Sequence, residues 1–425
     1  SILELLACSC IMAISIEIQW RILVCIVILL PLTFLTMNCG FQNKDATGYR
    51  VTDNTKTDPI DHKALTDLIE IGHMTVGGVI GNLAPEFSGI TNWINSSPLT
   101  LQELRGNVVL IDIWTYTCVN CIRTIPYIKE WYSRYQDQGL VIIGIHAPEF
   151  EFEKLTANVE RSMIDLDISW PVAQDNDMKT WDSYGNMYWP AKYVLDKNGV
   201  VKYRHFGEGS YAETENAIRI LLEDYGHNKI DYDNSLPVDQ KVDRSFGQSV
   251  LPKVTPELYC GRRRNAGILL SGGTPYIVQE EYYLDREQPV VLIVPDVLSS
   301  DKIYLNGEWQ IEEENVTHSR DSTDSSDFVA IKYSSKTVNV VMSSSTPTLQ
   351  KIWVTVNGDW LTDQNKGDDV LLESTGESYI WIDKPQMYKV INHGKYEKDM
   401  TLNLATDSMG SQFYAFTFGV YEEGP

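Results

Sequence analysis

Positive charge is scarce in this 425-residue chain, where 35 Lys and Arg stand against 58 Asp and Glu for a formal net charge of -23. Such a surface repels a phosphate backbone, which leaves nucleic-acid binding without an electrostatic footprint. Cysteine is also scarce. Of the seven present, Cys8, Cys10 and Cys25 fall in an apolar N-terminal stretch and Cys39 at its end, so only Cys118, Cys121 and Cys260 lie beyond it. One close pair and one odd thiol exclude a disulfide scaffold. A single CxxC with no second Cys or His pair at finger spacing is half a zinc site, and no metal is expected.

Long apolar runs are nearly absent as well. "RILVCIVILLPLTFLTMNCG", residues 21–40, carries roughly sixteen apolar residues after an arginine, which is marginal for a bilayer span and well suited to a signal h-region. Residues 1–40 are therefore expected to be a signal peptide or membrane anchor. In "LTMNC", Cys39 is a candidate lipid anchor, although Asn38 stands where a small residue is expected. The remainder should face an oxidising, extracytoplasmic space, either membrane-anchored as a lipoprotein or signal anchor or secreted; there a dithiol can cycle.

What remains is long enough for two or three folding units. Residues 41–81 are polar and lack periodicity, as a linker would. From 82 to about 230, "VVLIDIW" and "LVIIGIHA" are runs of buried-strand length flanking a segment with Ile122, Ile125, Ile128 and Trp131 at helical spacing. A helical stretch, the hairpin-like "AKYVLDKNGVVKYRHFG" and an amphipathic "YAETENAIRILLEDYG" follow, giving β-α-β-α-β-β-α, an α/β domain. After a linker at 231–251 the texture changes to short alternating runs, among them "DFVAIKY", "TVNVVM" and "MTLNLA", with hairpin signals at Asn306-Gly307 and Asn357-Gly358. Residues 252–425 are expected to form an all-β sandwich or jelly roll.

The chemistry concentrates in "DIWTYTCVNCIRTIP", residues 112–126. A strand-to-helix turn puts Cys118 at the first turn of a helix, where unpaired N–H groups and the helix dipole favour thiolate over thiol. That makes Cys118 the attacking sulfur. Cys121, one turn further in, is shielded and resolves the mixed disulfide. Asp112 interrupts an apolar run, and burying a carboxylate there is costly unless it has a partner or a task. Desolvation should raise its pKa and let it exchange a proton with Cys121; the plainer reading is a carboxylate satisfied by backbone at the strand end.

"VVLIDIWTYTCVNC" with Pro126 in the following helix resembles the thioredoxin superfamily, and "LTLQELRGNVVLIDIW" its TlpA-like branch. With "GIHAPEFEFEK", "YWPAKYVLDKNGVVKYRHFGEGSY" and the ending "FYAFTFG", residues 82–419 resemble the extracytoplasmic part of DipZ-type thiol-disulfide proteins, a thioredoxin-like domain followed by a carbohydrate-binding-module-like β-sandwich. The resemblance implies a thiol-disulfide oxidoreductase with Cys118 as nucleophile, Cys121 as resolving thiol and Trp189-Pro190 as a cis-proline peptide facing them, where an extended substrate strand pairs. Trp114 and Trp189 would form the apolar floor and wall of the substrate site, with core packing as the alternative for each. The working group is the Cys118-Cys121 redox-active disulfide, with no cofactor. Implied partners are extracytoplasmic proteins with thiols or disulfides, a separate membrane electron carrier, and a glycan or partner protein at the C-terminal domain. Thr124 replaces the glutamate that TlpA-like cytochrome-maturation proteins often carry, which removes the basis for that specialised role.

Rival readings are weaker. A peroxiredoxin-like thiol peroxidase would use the Thr-x-x-Cys of "TYTC", but Ile111 stands where its proline belongs. A copper chaperone needs another cysteine spacing, whatever His146 and His205 do. A carbohydrate-binding surface protein with a secondary redox domain would need exposed, coplanar aromatics, with Trp309, Trp353, Trp360 and Trp381 as candidates. His205, Glu208 and the acidic "EFEFE" loop border the active face or are simply solvated. Val119 and Asn120 match neither the Gly-Pro of reducing thioredoxins nor the Pro-His of strong oxidants, so the direction of catalysis stays open. Cys260, beside three arginines in "LYCGRRRN", is either an activated thiol or a sheltered core sulfur.

Overall fold

The structure, a computed structural model, describes residues 77–224, 253–284, 287–322 and 326–420. The expected signal or anchor at 1–40 with Cys39, nearly all of the 41–81 linker, and the 231–251 linker lie outside the described residues. Among the described residues, no helix is long and apolar enough to cross a membrane.

The N-terminal part is a six-stranded sheet with helices on both faces. Its strands are β1 (Asn92–Ile94), β2 (Val108–Trp114), β3 (Leu140–His146), β4 (Val172–Gln174), β5 (Ala191–Leu195) and β6 (Val201–Phe206), in the order β1-β4-β3-β2-β5-β6. β3 runs parallel to β2 and β4, while β5 returns antiparallel to β2. The helices are α1 (Val119–Tyr135), α2 (Thr156–Asp165), α3 (Lys179–Ser183) and α4 (Tyr211–Glu223). Every β2 residue is buried, because successive side chains feed two cores. Val108, Leu110 and Trp114 pack with Ile125, Ile128 and Trp131 of α1 and Ile218 of α4, whereas Val109, Ile111 and Ile113 pack with Trp181 of α3 and Tyr193 of β5. The pleat therefore puts Asp112 on the α1 face.

The C-terminal part is β-rich. Its strands are β7 (Leu258–Tyr259), β8 (Val290–Leu292), β9 (Lys302–Ile311), β10 (Val316–His318), β11 (Asp327–Ser344), β12 (Gln350–Val356), β13 (Asp359–Trp360), β14 (Leu371–Leu372), β15 (Ser378–Ile382), β16 (Gln386–Thr406) and β17 (Ser411–Gly419), preceded in part by α5 (Arg262–Leu270). All eleven join one antiparallel sheet. β11 pairs with β16 on one edge and, on the other, with β9 over Phe328–Lys332 and then β17 over Thr337–Ser344. Because β10 links β9 to β17, the ladder closes on itself beside the bend.

Two expectations from sequence need correction. "DFVAIKY" and "TVNVVM" are not two strands but the two ends of β11, which bends through register shifts between Tyr333 and Thr337 where Ser334, Ser335 and Lys336 interrupt the apolar pattern. Asn306-Gly307 is not a hairpin turn but lies inside β9. Gly307 has φ +96°, and a Cβ there would sit about 2.1 Å from the Asp327 carboxyl carbon, so glycine answers a close approach rather than a reversal. Asn357-Gly358, with φ values of 54° and 87°, does turn the chain between β12 and β13.

Candidate active site

Cys118 is the N-cap of α1, and its Sγ accepts a hydrogen bond from the Cys121 backbone N–H at 3.2 Å. Both are free thiols. Cys118 is half-buried and opens into a cleft of about 240 Å³, while Cys121 is fully buried in the α1 core. Burial, the hydrogen bond with Cys118 and the Cys118 charge push the Cys121 thiol well above its ordinary range. One sulfur is accessible and the other is held protonated beneath it.

Asp112, 1 % exposed, is on the α1 face of β2 and within electrostatic reach of Cys121. Burial pushes its carboxyl up, opposed by the ammonium of Lys192. Lys192 stands directly across the β2–β5 ladder, itself fully buried, with Nζ 3.6 Å from Asp112 Oδ1. That separation is an ion pair beyond hydrogen-bond length, and neither atom has a hydrogen-bond partner. The plainer alternative, an Asp112 satisfied by backbone, gives way to this pairing. The Asp112 charge in turn helps to raise Cys121.

The loop between β2 and α1 is pinned from a second loop. Thr117 Oγ1 donates to Glu153 Oε1 at 2.5 Å, and Glu153 Oε2 accepts from the backbone N–H groups of Glu149 and Phe150 at 2.6 and 3.0 Å. Glu153 is buried, which pushes its pKa up against those bonds. Burial and the Glu153 charge raise Glu149 to about 7, opposed by Arg264 at 2.7 Å. His146 is fully buried beside Thr115 Oγ1 at 3.3 Å, and burial lowers its pKa to about 3, so the ring is neutral. His205 and Glu208 belong to a structural cluster, with His205 Nε2 3.2 Å from the Glu208 carbonyl and Glu208 paired with Arg123 at 3.3 Å.

The Trp189-Pro190 peptide is cis. Trp189 packs near the dithiol, lines the cleft, lies tilted against Trp181 with ring centres 4.3 Å apart and donates from Nε1 to the Ala147 carbonyl at 2.9 Å. Trp114 does not line the site. It is 1 % exposed and packed edge-on against His146 within the core, in line with the core-packing alternative. Cys260 is also a core residue, fully buried, and burial raises its thiol. Among the described residues, the C-terminal aromatics form no coplanar row. Trp309 is buried, while Trp353, Tyr379 and Trp381 meet at 62° and 81° with Lys351 Nζ 3.8 Å from the Trp353 ring centre.

The two parts meet at the dithiol. Val119, between the cysteines, is 2 % exposed and packs with Phe150 against Val341, Met387, Tyr414 and Ala415 of the C-terminal sheet. Lys192 and this contact have no place in the sequence analysis, whereas Glu153 belongs to the "EFEFE" loop named there and is buried at the active face rather than solvated. A lysine inside the apolar run "AKYVL" carried the same signal as Asp112; the contact had none, because only the folded chain brings those segments together.

Comparison with known proteins fits this geometry. Residues 80–204 match the AhpC/TSA family and residues 255–419 the thioredoxin-like C-terminal domain family. Over 142 residues the chain is 31 % identical to thiol-disulfide oxidoreductase YkuV of Bacillus subtilis, covering 33 % of this chain and 94 % of that protein. The chain belongs to the thiol-disulfide oxidoreductase family. It is also 36 % identical over 266 residues to protein DipZ of Mycobacterium tuberculosis, covering 62 % of this chain but 35 % of that protein. Thiol-disulfide oxidoreductase ResA of Bacillus cereus is 29 % identical over 136 residues, covering 32 % of this chain and 75 % of ResA. The chain thus spans about a third of the length of the DipZ proteins it matches.

Proposed function

We propose that this oxidoreductase exchanges disulfides with extracytoplasmic partner proteins through Cys118 and Cys121. The observation that carries the reading is the unequal access of the two sulfurs, one open to the cleft and one buried beneath it. Acting as a reductant, the Cys118 thiolate attacks a partner disulfide, forms a mixed disulfide and releases one partner thiolate. The Cys121 thiolate then attacks the Cys118 sulfur. This closes the Cys118–Cys121 disulfide and releases the second partner thiol, with two electrons passed to the partner. Oxidation of a dithiol partner is the same sequence reversed. Asp112 is the group placed to take the Cys121 proton, and Lys192 is the positioning residue that stabilises its charged form.

A separate membrane electron carrier is the proposed source of reducing equivalents, and the N-terminal segment the proposed membrane attachment. Residues 82–230 are proposed as the redox domain and 252–425 as a jelly-roll-like domain for binding a glycan or partner protein. The tilted aromatics around Lys351 do not support a stacking platform for a sugar. Trapping tests the exchange reading. Cys121→Ser should accumulate a partner adduct visible on non-reducing gels, and Cys118→Ser should accumulate none and lose turnover. Adducts with Cys118→Ser alone would reverse the two roles, and turnover by Cys118→Ser would contradict the mechanism.

A further inference from the structure

The cleft over Cys118 is not built by the redox domain alone. Thr117, Cys118, Asn120 and Trp189 line one side; Tyr259, Val341 and Thr417 of the C-terminal domain line the other. Arg264 of α5 spans the junction. It pairs with Glu149 at 2.7 Å, and its guanidinium lies 4.6 Å from the ring centre of Tyr259. Arg264, Glu149, Phe150 and Trp189 also line a neighbouring cavity of about 880 Å³ that runs on between the domains. The mouth beside Cys118 carries Met187 and Tyr188, 75 % and 52 % exposed.

The shape restricts what can arrive. The roughly 240 Å³ chamber at Cys118 is walled on both sides, so a partner cannot lay a broad folded face over the sulfur as it can over an open loop. An extended segment meets no such obstacle, since it presents side chains alternately to opposite sides and carries its own backbone hydrogen-bonding groups into the groove. The lining suits a peptide more than a small thiol: exposed apolar side chains at the mouth are followed by groups of both charge signs, including Glu149, Arg264 and Glu257. The wall is also held in place. Val119 and Phe150 on the redox side pack into Val341, Met387, Tyr414 and Ala415, which fixes the C-terminal domain against the first turn of α1.

We propose that the C-terminal domain is part of the substrate site, and that Tyr259 and Arg264 hold the client as an extended, cysteine-bearing peptide segment between themselves and Trp189. The inference rests on the exchange reading and names its substrate class. An apolar residue of the client beside its cysteine packs on Met187 and Tyr188, and the following residues continue into the larger cavity past Arg264. Specificity then belongs to the junction of the domains rather than to a ligand site elsewhere on the C-terminal sheet.

The test compares two substrates in the full chain, with excess dithiothreitol returning the Cys118–Cys121 disulfide to the dithiol and its direct reaction with each substrate subtracted: a linear peptide carrying a mixed disulfide at a cysteine flanked by aromatic residues, and the small symmetrical disulfide of nitrobenzoate. Tyr259→Ala and Arg264→Ala should each lower the ratio of kcat/KM for the peptide to that for the small disulfide about five- to tenfold, and should do so through KM. Melting temperature identifies any variant that fails to fold, and Arg264→Glu, which repels Glu149, provides a third reading at an exposed position. An unchanged ratio in all folded variants would overturn the proposal, as would a fall carried by kcat alone. Inactivity of the unsubstituted chain toward both substrates would sink the exchange reading itself, and the client segment with it.

Discussion

Asp112 and Asp327 are both 1 % exposed, one in each domain, and their carboxyl groups are driven in opposite directions. Burial pushes up both. Around Asp327 it is outweighed, because Arg320 donates from Nε and Nη2 at 2.7 and 2.6 Å, His318 Nε2 lies at 2.9 Å and the Glu308 backbone N–H donates at 3.3 Å; the result is a pKa of about 2. Around Asp112 only the Lys192 ammonium opposes, at 3.6 Å and without a hydrogen bond, so the shift stays upward. Burial alone therefore does not mark a reactive group. A buried carboxylate with every lone pair engaged is a clasp, and one left short of partners has a raised pKa that suits the proton-accepting role proposed for Asp112.

The comparison breaks first at Asp327. Asp327→Asn removes the charge that Arg320 and His318 converge on, and should cost about 3 kcal/mol, the lower end of what breaking a buried pair costs. Urea unfolding measures that loss, and turnover of the folded variant should be unaffected. The Asp112 pair should behave in the opposite sense. The double substitution Asp112→Leu with Lys192→Met replaces an under-satisfied buried ion pair by apolar groups of similar size, and should gain about 1–4 kcal/mol while slowing release of the mixed disulfide about tenfold or more. A double variant that loses stability would mean the pair is a second clasp.

Acid dependence gives the smallest effect. Asp327 has a folded-state pKa below its ordinary 3.8, so its contribution is present above pH 3.8 and disappears as pH falls through about 2. The wild type should lose about 2 kcal/mol over that window relative to Asp327→Asn. Asp112 has a folded-state pKa above 3.8, so its contribution is present below that pH and is lost as pH rises through its raised folded value. The difference between wild type and the Asp112/Lys192 double variant should therefore slope the other way.

Much of the redox domain was legible in sequence, because its central strands are buried on both faces and announce themselves as unbroken apolar runs. "VVLIDIW" coincides with β2, and the helical spacing from Ile125 to Trp131 is the core face of α1. Ile122 in the same series faces elsewhere, toward the C-terminal domain. No periodicity separates those two faces, since both are apolar. The cysteines and Asp112 were legible because each conflicts with its surroundings. Lys192 was legible in the same way but could not be matched to Asp112 without knowing that β5 returns beside β2. In the C-terminal domain the short runs were visible while their joining was not: β11 and β16 are single strands of 18 and 21 residues whose bends read as breaks. The Glu153 brace and the Arg264 bridge depend on loops that meet only in the folded chain.

The most direct measurement is a pH titration of the aspartate carboxyl carbons in the reduced protein, labelled at aspartate and assigned with Asp112→Asn and Asp327→Asn. Asp112 is expected to titrate above 3.8 and Asp327 near 2. Titration of Asp112 at or below 3.8 would contradict its proton-accepting role, since a carboxylate as fully satisfied as Asp327 would have no reason to take a proton from Cys121.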